Sequence, residues 1–310
     1  MAAEIMIGTK DHDRSFGGAN LFAAALQWRP GRCGKPRARQ SRGWPWLARP
    51  LSWLLPALML TTTTAPASDW QPLEPRPELL AKADLAYAEA SAQRQSDGQR
   101  IGVHLAFFHS RAFRLAVVDL ASIDSNPKKR IDAVFRGAGI PAGINGGFFH
   151  PNGRPLGLVV ADGQRINRLE RAKLLSGVLY ADADGNYLRR HGAFHDHAGI
   201  DALLQTGPYL VEYGRAVRGL RTAPVARRSF AATDWRGHWV LGATRNPISL
   251  ADLSDCLASL GCLTDWPVER AINLDGGSST GFFFERGSGQ GAVVVHPLKP
   301  VRNLLGICPR

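Results

Sequence analysis

Two glycine-hinged segments far apart in the 310-residue chain most narrow what it can fold into: Asn145-Gly146-Gly147-Phe148-Phe149 and Asn273-Leu274-Asp275-Gly276-Gly277-Ser278-Ser279-Thr280. Each sets polar side chains beside adjacent glycines at the end of an apolar run. Two glycines in succession strip the Cβ atoms from a stretch of backbone, so a ligand can approach the main chain and the amides can converge on an anion or hydroxyl. The plainer alternative is a pair of strand-to-turn corners, because Asn-Gly and Asp-Gly are common hairpin signals.

The flanking pattern is that of many short strands. Residues 101–108 and 113–120 are apolar, β-branched or aromatic runs separated by His109-Ser110-Arg111, which predicts a hairpin. Residues 156–161, 174–181, 208–212, 229–233 and 238–243 are further strand candidates, with turns at Asp162-Gly163, Asp184-Gly185 and Arg236-Gly237. The strand 270–274 delivers Asp275 into its glycine turn, and residues 293–295 and 301–307 close the chain as strands. Helices are expected over 78–94, where Pro77 suits a first turn, near 130–135, and from the capping box at Ser249 to Gly261. Many strands with a few helices indicate an α+β domain around a mixed β-sheet.

A net charge of +12 raises the question of a nucleic-acid partner. Residues 1–50 hold nine Lys or Arg against three acids, so that head carries +6 and the other 260 residues share the remaining +6. No basic stripe interleaved with aromatics follows, so no nucleic-acid partner is expected. The basic head, the apolar residues 51–60 and Ala65-Pro66-Ala67 describe a signal segment over 1–67, cleaved after Ala67. The apolar stretch is short of the ~20 residues that span a bilayer and Pro56 interrupts it, so no stable membrane span is expected after cleavage. The expectation is thus an exported chain, periplasmic or extracellular. A proline-rich lead-in and the first helix occupy 68–100, and the functional domain 101–310. Cys33 leaves with the signal, and Cys256, Cys262 and Cys308 remain, enough for one bridge, Cys256 with Cys262 in preference to Cys262 with Cys308.

Asp275, between an apolar strand and two glycines, is the first candidate for chemistry, because burial and amide donors there set its ionisation, and a carboxylate can activate water or attack an anomeric carbon. The bland alternative is an Asp that bonds its own turn. His195-Asp196-His197 carries metal-binding spacing without a third ligand nearby, and no metal or cofactor is expected. Neither Gly-x-Ser-x-Gly nor a phosphate-binding loop ending in Gly-Lys-Ser/Thr occurs.

The two glycine segments together resemble the core motifs of the phosphodiester glycosidase domain family, whose members include the enzyme that removes N-acetylglucosamine from a sugar-1-phosphodiester on lysosomal glycoproteins. Other markers follow in order: Pro155-x-Gly157, Thr206-Gly207-Pro208-x-Leu210 and Arg227-Arg228-Ser229. The resemblance runs over about residues 101–307, leaves 189–200 without a marker, and leaves open whether Arg227 or Arg228 fills the family's single arginine position. It implies a glycosidase that cleaves between an anomeric carbon and a phosphodiester, acting on an anionic sugar-phosphate or polysaccharide. It also implies roles. Arg227 or Arg228, with the amides of Gly146, Gly147, Gly276 and Gly277, would steady the leaving phosphate. Asn145 and Asn273 would hold sugar groups, with Thr206 and Gly207 beside them, while Ser278, Ser279 and Thr280 bind phosphate or fix Asp275. Phe148 and Phe149 stack on a sugar or pack in the core. A second acid or base is sought among Asp234, His150 and Glu285. The alternatives are a non-catalytic saccharide-binding protein and a metal-dependent phosphodiesterase.

Overall fold

The computed structural model describes residues 69–74, 83–120, 130–287 and 289–310. The expected signal segment and the start of the first expected helix lie outside them. Three antiparallel sheets make up the domain. The largest has eight strands in the order Trp70–Pro72, Leu85–Arg94, Arg100–His109, His238–Thr244, Ser229–Thr233, Arg270–Asn273, Tyr209–Glu212 and Arg215–Ala216. A second runs Gln164–Asn167, Val159–Ala161, Ile200–Thr206, Gly177–Asp182 and Asn186–Arg190. The third runs Ala292–Val295, Phe282–Glu285, Ala142–Asn145, Asn303–Pro309 and Phe113–Asp119.

Side-chain alternation explains how three sheets share one core. On Arg100–His109, Ala106 and Phe108 face a central cluster, while Leu105 and Phe107 face a second cluster on the other side of the sheet. The same alternation sends Ala231 and Ile272 inward but Phe230, Ala232 and Ala271 outward. The other two sheets complete the central cluster with Ile144, Leu305 and Phe282, and with Leu179, Ala202 and Leu204. Helix Leu250–Ala258 closes the outer face of the eight-stranded sheet through Leu253, Cys256 and Leu257. Its Ser249 cap accepts from the Asp252 N–H at 3.0 Å, as the capping box requires. Helix Ile131–Gly137 covers the outer face of the third sheet through Phe135 against Phe283.

Three expectations change. The sheets are not mixed: every strand pairing among the described residues is antiparallel. With two α-helices among the described residues, the α+β domain is dominated by its sheets, since neither helix serves as a crossover between parallel neighbours. Leu85–Arg94 is a strand where a helix was expected, paired along its whole length from Leu85 opposite Phe108 to Gln93 opposite Arg100. Its alanines favour a helix in isolation, but long-range pairing decides. The strands Arg100–His109 and Phe113–Asp119 follow one another without forming a hairpin. The first pairs with Leu85–Arg94 and His238–Thr244, the second with Asn303–Pro309 in another sheet. The Asp162-Gly163 turn does close a hairpin, as do Asp184-Gly185 and Arg236-Gly237. Among the described residues no helix is long and apolar enough to cross a membrane.

Candidate active site

The two glycine segments meet. Strand Ala142–Asn145 and strand Arg270–Asn273 are buried along their full lengths, and the loops beyond them bond to each other. The Asp275 N–H donates to the Gly146 carbonyl at 3.2 Å, and the Asn145 amide Nδ2 donates to the Asp275 carbonyl at 2.7 Å. The Asn145 Oδ1 accepts from the Ser229 hydroxyl at 2.6 Å and the Gly281 N–H at 3.0 Å. Asn145 thus ties together the loops after two strands, the start of Ser229–Thr233 and the approach to Phe282–Glu285, with its amide oxygen and nitrogen both committed inside the protein.

Glycine is needed here for close approach. A Cβ on Gly146 would lie 2.0 Å from the Oδ1 of Asn303, and one on Gly276 would lie 2.7 Å from the Arg227 carbonyl oxygen. Gly277 sits at φ +64°, a left-handed conformation that side chains disfavour, and opens the short 3-10 turn Gly277–Ser279. The amides expected to grip a phosphate have partners within the fold. Gly146 donates to the Asn303 carbonyl and Gly147 to the Asn303 Oδ1, while Gly276 donates to the Asp275 carboxylate and Gly277 to the Arg227 carbonyl. These glycines let loops interlock, and their N–H groups hold the interlock closed.

Asp275 occupies the centre of this knot. Burial pushes its carboxyl above the ordinary Asp range, and hydrogen bonds from the Ser279 side chain and the Gly276 N–H pull in the opposite direction. The Ser279 side chain thus faces Asp275. The neighbouring Ser278 carbonyl instead receives the Leu298 N–H at 2.8 Å.

The two arginines separate clearly. The Arg228 Nε donates to the Ile248 carbonyl at 3.0 Å and its Nη2 to the Pro224 carbonyl at 2.8 Å, so Arg228 braces the loop before Ser229. Burial lowers its pKa from the usual guanidinium value. Arg227, whose carbonyl clasps Gly277, carries a buried Nη2 without a hydrogen-bond partner among the described residues. Among the other buried polar atoms in that condition are the Asn273 Oδ1, the Thr280 Oγ1 and the Asn303 Nδ2.

The middle marker buttresses the same knot. The Thr206 hydroxyl donates to the Asn273 carbonyl at 3.0 Å, and the Asn273 Nδ2 donates to the Gly207 carbonyl at 3.0 Å. Gln205, just before it, receives the Leu158 and Glu170 N–H groups on its Oε1 and donates to the Glu170 carbonyl, which pins loop 168–176 beside the site. Phe148 and Phe149 are half-buried and stand outside the fully buried clusters.

Two of the candidates for a second acid or base, Asp234 and Glu285, lie at the far ends of their strands. Asp234 is buried at the far end of strand Ser229–Thr233, whose Phe230 pairs with Asn273, and it receives the Arg236 and His238 N–H groups. Glu285 is at the end of its strand away from Asn145 and pairs with Arg136 at 2.8 Å. His150 contacts Arg154 at 3.2 Å on the loop after Phe149. In the His195-Asp196-His197 run, Asp196 pairs with Arg165 and His197 stands 3.7 Å from Asp182. Among the described residues no three His, Cys, Asp or Glu side chains converge as a metal site would require.

Asn303 is the residue that sequence reasoning missed. It is fully buried, bonds Gly146 through its backbone and Gly147 through its side chain, and lies beside Asn145 in the sheet. The available signal was an asparagine at the edge of an apolar strand, a feature it shares with Asn145 and Asn273.

With this geometry in view, the chain matches the phosphodiester glycosidase family over residues 138–308. It belongs to that family. Its fold is similar to the catalytic domain of zebrafish N-acetylglucosamine-1-phosphodiester alpha-N-acetylglucosaminidase, a structure auto-inhibited by its pro-peptide. That likeness has a TM-score of 0.57 at 15% identity and covers 79% of this chain and 89% of the zebrafish one. A hypothetical protein from Synechocystis aligns with a TM-score of 0.46 at 17% identity, over 73% of this chain and 64% of its own. Among curated proteins, none matches the chain by sequence. The family places the glycine knot, Thr206-Gly207 and the arginine pair within one matched region, which the sequence markers had already set in order.

Proposed function

We propose that this member of the phosphodiester glycosidase family is an exported hydrolase that cleaves between the anomeric carbon of a sugar and a phosphodiester, in a substrate of the N-acetylglucosamine-1-phosphodiester kind belonging to a cell envelope or exopolysaccharide. The observation that carries the proposal is Asp275. It is a carboxyl whose pKa burial has raised, on a turn clasped by Arg227, in a family whose description is that chemistry.

The leaving group in such a substrate is a phosphate monoester, an anion of low basicity. Its departure needs charge stabilisation more than a proton, so one carboxylate and one guanidinium form a working minimum. Asp275 in its ionised form activates water toward the anomeric carbon or attacks it directly, and Arg227 holds a guanidinium nitrogen that has no acceptor among the described residues. Arg228 supports Arg227 by holding its loop against Ile248 and Pro224. Phe148 and Phe149, half-buried beyond Gly147, suit a sugar face. An anionic substrate also suits the rim: Arg168, Arg171 and Lys173 are exposed on the loop that Gln205 pins, and none of them forms an ion pair among the described residues.

One observation favours a second reading. With Asp234 and Glu285 held at other ends of their strands, no second carboxylate of the original candidates accompanies Asp275, as fits a saccharide-binding protein on the same fold. Phosphorus and proton NMR of the products from UDP-N-acetylglucosamine and simpler sugar-1-phosphodiesters separates the two. Free sugar with an intact phosphate monoester is the expected result. Chemical-shift changes that saturate without product would support the binding protein, and sugar-1-phosphate would indicate cleavage at phosphorus.

A further inference from the structure

Cys256 lies in the last turn of helix Leu250–Ala258 and Cys262 just beyond its end. The chain reverses between them through two main-chain hydrogen bonds, from the Ser259 N–H to the Cys256 carbonyl at 3.3 Å and from the Cys262 N–H to the Ser259 carbonyl at 3.1 Å. Gly261, at φ +72°, supplies the left-handed residue that this reversal needs. The result is a separation of 3.2 Å between the two sulfur atoms. A covalent S–S bond is about 2.05 Å long, so a small side-chain adjustment with the loop path kept would close it. Both residues are fully buried at 0% exposure, in the apolar cluster with Leu253, Leu257, Leu263 and Trp266. Cys308 stands on the last strand of another sheet, opposite Arg114, and it is Cys256 that faces Cys262.

The geometry points to Cys256 and Cys262 as a disulfide site, a crosslink across segment 256–262 formed by exchange with an external disulfide such as oxidised glutathione or the exposed disulfide of an oxidant protein. The thiolate of one cysteine attacks a sulfur of the external disulfide, forms a mixed disulfide and releases one external thiol. The thiolate of the other cysteine then displaces the second external thiol and closes the Cys256–Cys262 bond. The pair gives up two protons and two electrons, and the external disulfide is reduced to two thiols.

Burial sets the timing. An oxidant cannot reach either sulfur once the helix end is docked, so exchange occurs while the chain folds or through local opening. The bond would pin a part of the molecule that supports the active site. The helix begins at Ser249, next to Ile248, whose carbonyl receives the Arg228 Nε and whose main chain is bridged to Ala226. The helix also donates from the Ser254 hydroxyl to the Leu210 carbonyl in the sheet. Beyond Cys262 the chain runs through the buried Trp266 to strand Arg270–Asn273, which carries Asp275. The inference rests on the cysteine geometry and stands or falls independently of the proposed reaction.

The test is to refold the full chain from denaturant in a buffer of reduced and oxidised glutathione, block thiols with iodoacetamide under denaturing conditions, and measure the intact mass and its peptides. The expected result is a Cys256–Cys262 crosslinked peptide lighter by two hydrogens, with iodoacetamide on Cys33 and Cys308 and on no other cysteine, and the same bond in Cys308→Ser. Reduction should lower the Tm by roughly 5–10 °C, the size expected for a short closed loop in a domain of this length. Oxidised glutathione added to the folded dithiol protein should form the bond more slowly than it forms during refolding. Alkylation of both Cys256 and Cys262 after refolding, glutathione held on either of them, or a crosslink of either to Cys33 or Cys308 would each overturn the proposal.

Discussion

The two glycine segments are near twins as sequence and differ as physical objects. Around Asn145-Gly146-Gly147 the amide of Asn145 and both glycine N–H groups have partners inside the protein. Around Asp275-Gly276-Gly277 the backbone is equally well tied, yet a carboxyl is left with its ionisation opposed by burial, and the clasping Arg227 keeps a nitrogen with no partner among the described residues. The difference teaches that glycine pairs mark where loops must interlock. Chemistry is to be sought where the interlock leaves a charged group in an unfavourable setting.

The comparison breaks most sharply at Asp275. Asp275→Asn should lower kcat/KM by about 10³-fold or more, since it removes the base or nucleophile. The same change should raise the Tm at neutral pH. A carboxyl whose folded pKa is raised contributes stability that is present below its unfolded value and is lost as pH rises through the folded pKa, and the uncharged amide avoids that cost. A fall in both activity and Tm would instead make Asp275 a structural residue like Asn145.

On the other side, Asn145→Ala should cost about 3 kcal/mol or more of stability, because it strands the buried Ser229 hydroxyl, the Gly281 N–H and the Asp275 carbonyl. Denaturant unfolding measures this, and a variant of normal stability with lost sugar binding would move Asn145 from scaffold to substrate contact. The arginines sharpen the contrast within one dipeptide. Arg227→Met should lower kcat/KM by about 100-fold with the Tm little changed. Arg228→Met should lower stability by about 1–3 kcal/mol through the carbonyls of Ile248 and Pro224, with smaller effects on the folded enzyme's rate.

The smallest effect is a shift of pH profile. In the proposed mechanism Asp275 acts as the carboxylate, and since burial raises its pKa, rate should be lost as pH falls through a value above the ordinary Asp range. Ser279→Ala removes a hydrogen bond that favours the carboxylate, so the acid limb should move further up. A limb that stays in place would mean that another group controls it.

Much of this was legible in sequence wherever a local signal had a local cause. The Asp-Gly and Arg-Gly turns, the Ser249 cap and the strand leading to Asp275 all rest on contacts within a few residues, and each stands where its signal puts it. Reading failed where distant partners decide. Alanine-rich Leu85–Arg94 becomes a strand because Arg100–His109 pairs along it, and the two strands flanking His109-Ser110-Arg111 part company because each has a better partner elsewhere. In the site, Asp275 and the arginine pair were visible as residue types in an unusual setting. Which arginine is free could not be read, because Ile248 and Pro224 occupy Arg228 only once the chain has folded. Asn303 stayed hidden because it has no neighbouring glycine, its glycines being supplied by a strand far away in sequence.

The most direct test of the central claim is hydrolysis of a sugar-1-phosphodiester in water enriched in oxygen-18, followed by phosphorus NMR of the released phosphate monoester. Attack at the anomeric carbon, supported by Asp275, predicts a phosphate free of the heavy isotope and no detectable product from Asp275→Asn. Oxygen-18 in the phosphate would contradict the account, because water would then have attacked phosphorus and left the glycosidic bond untouched.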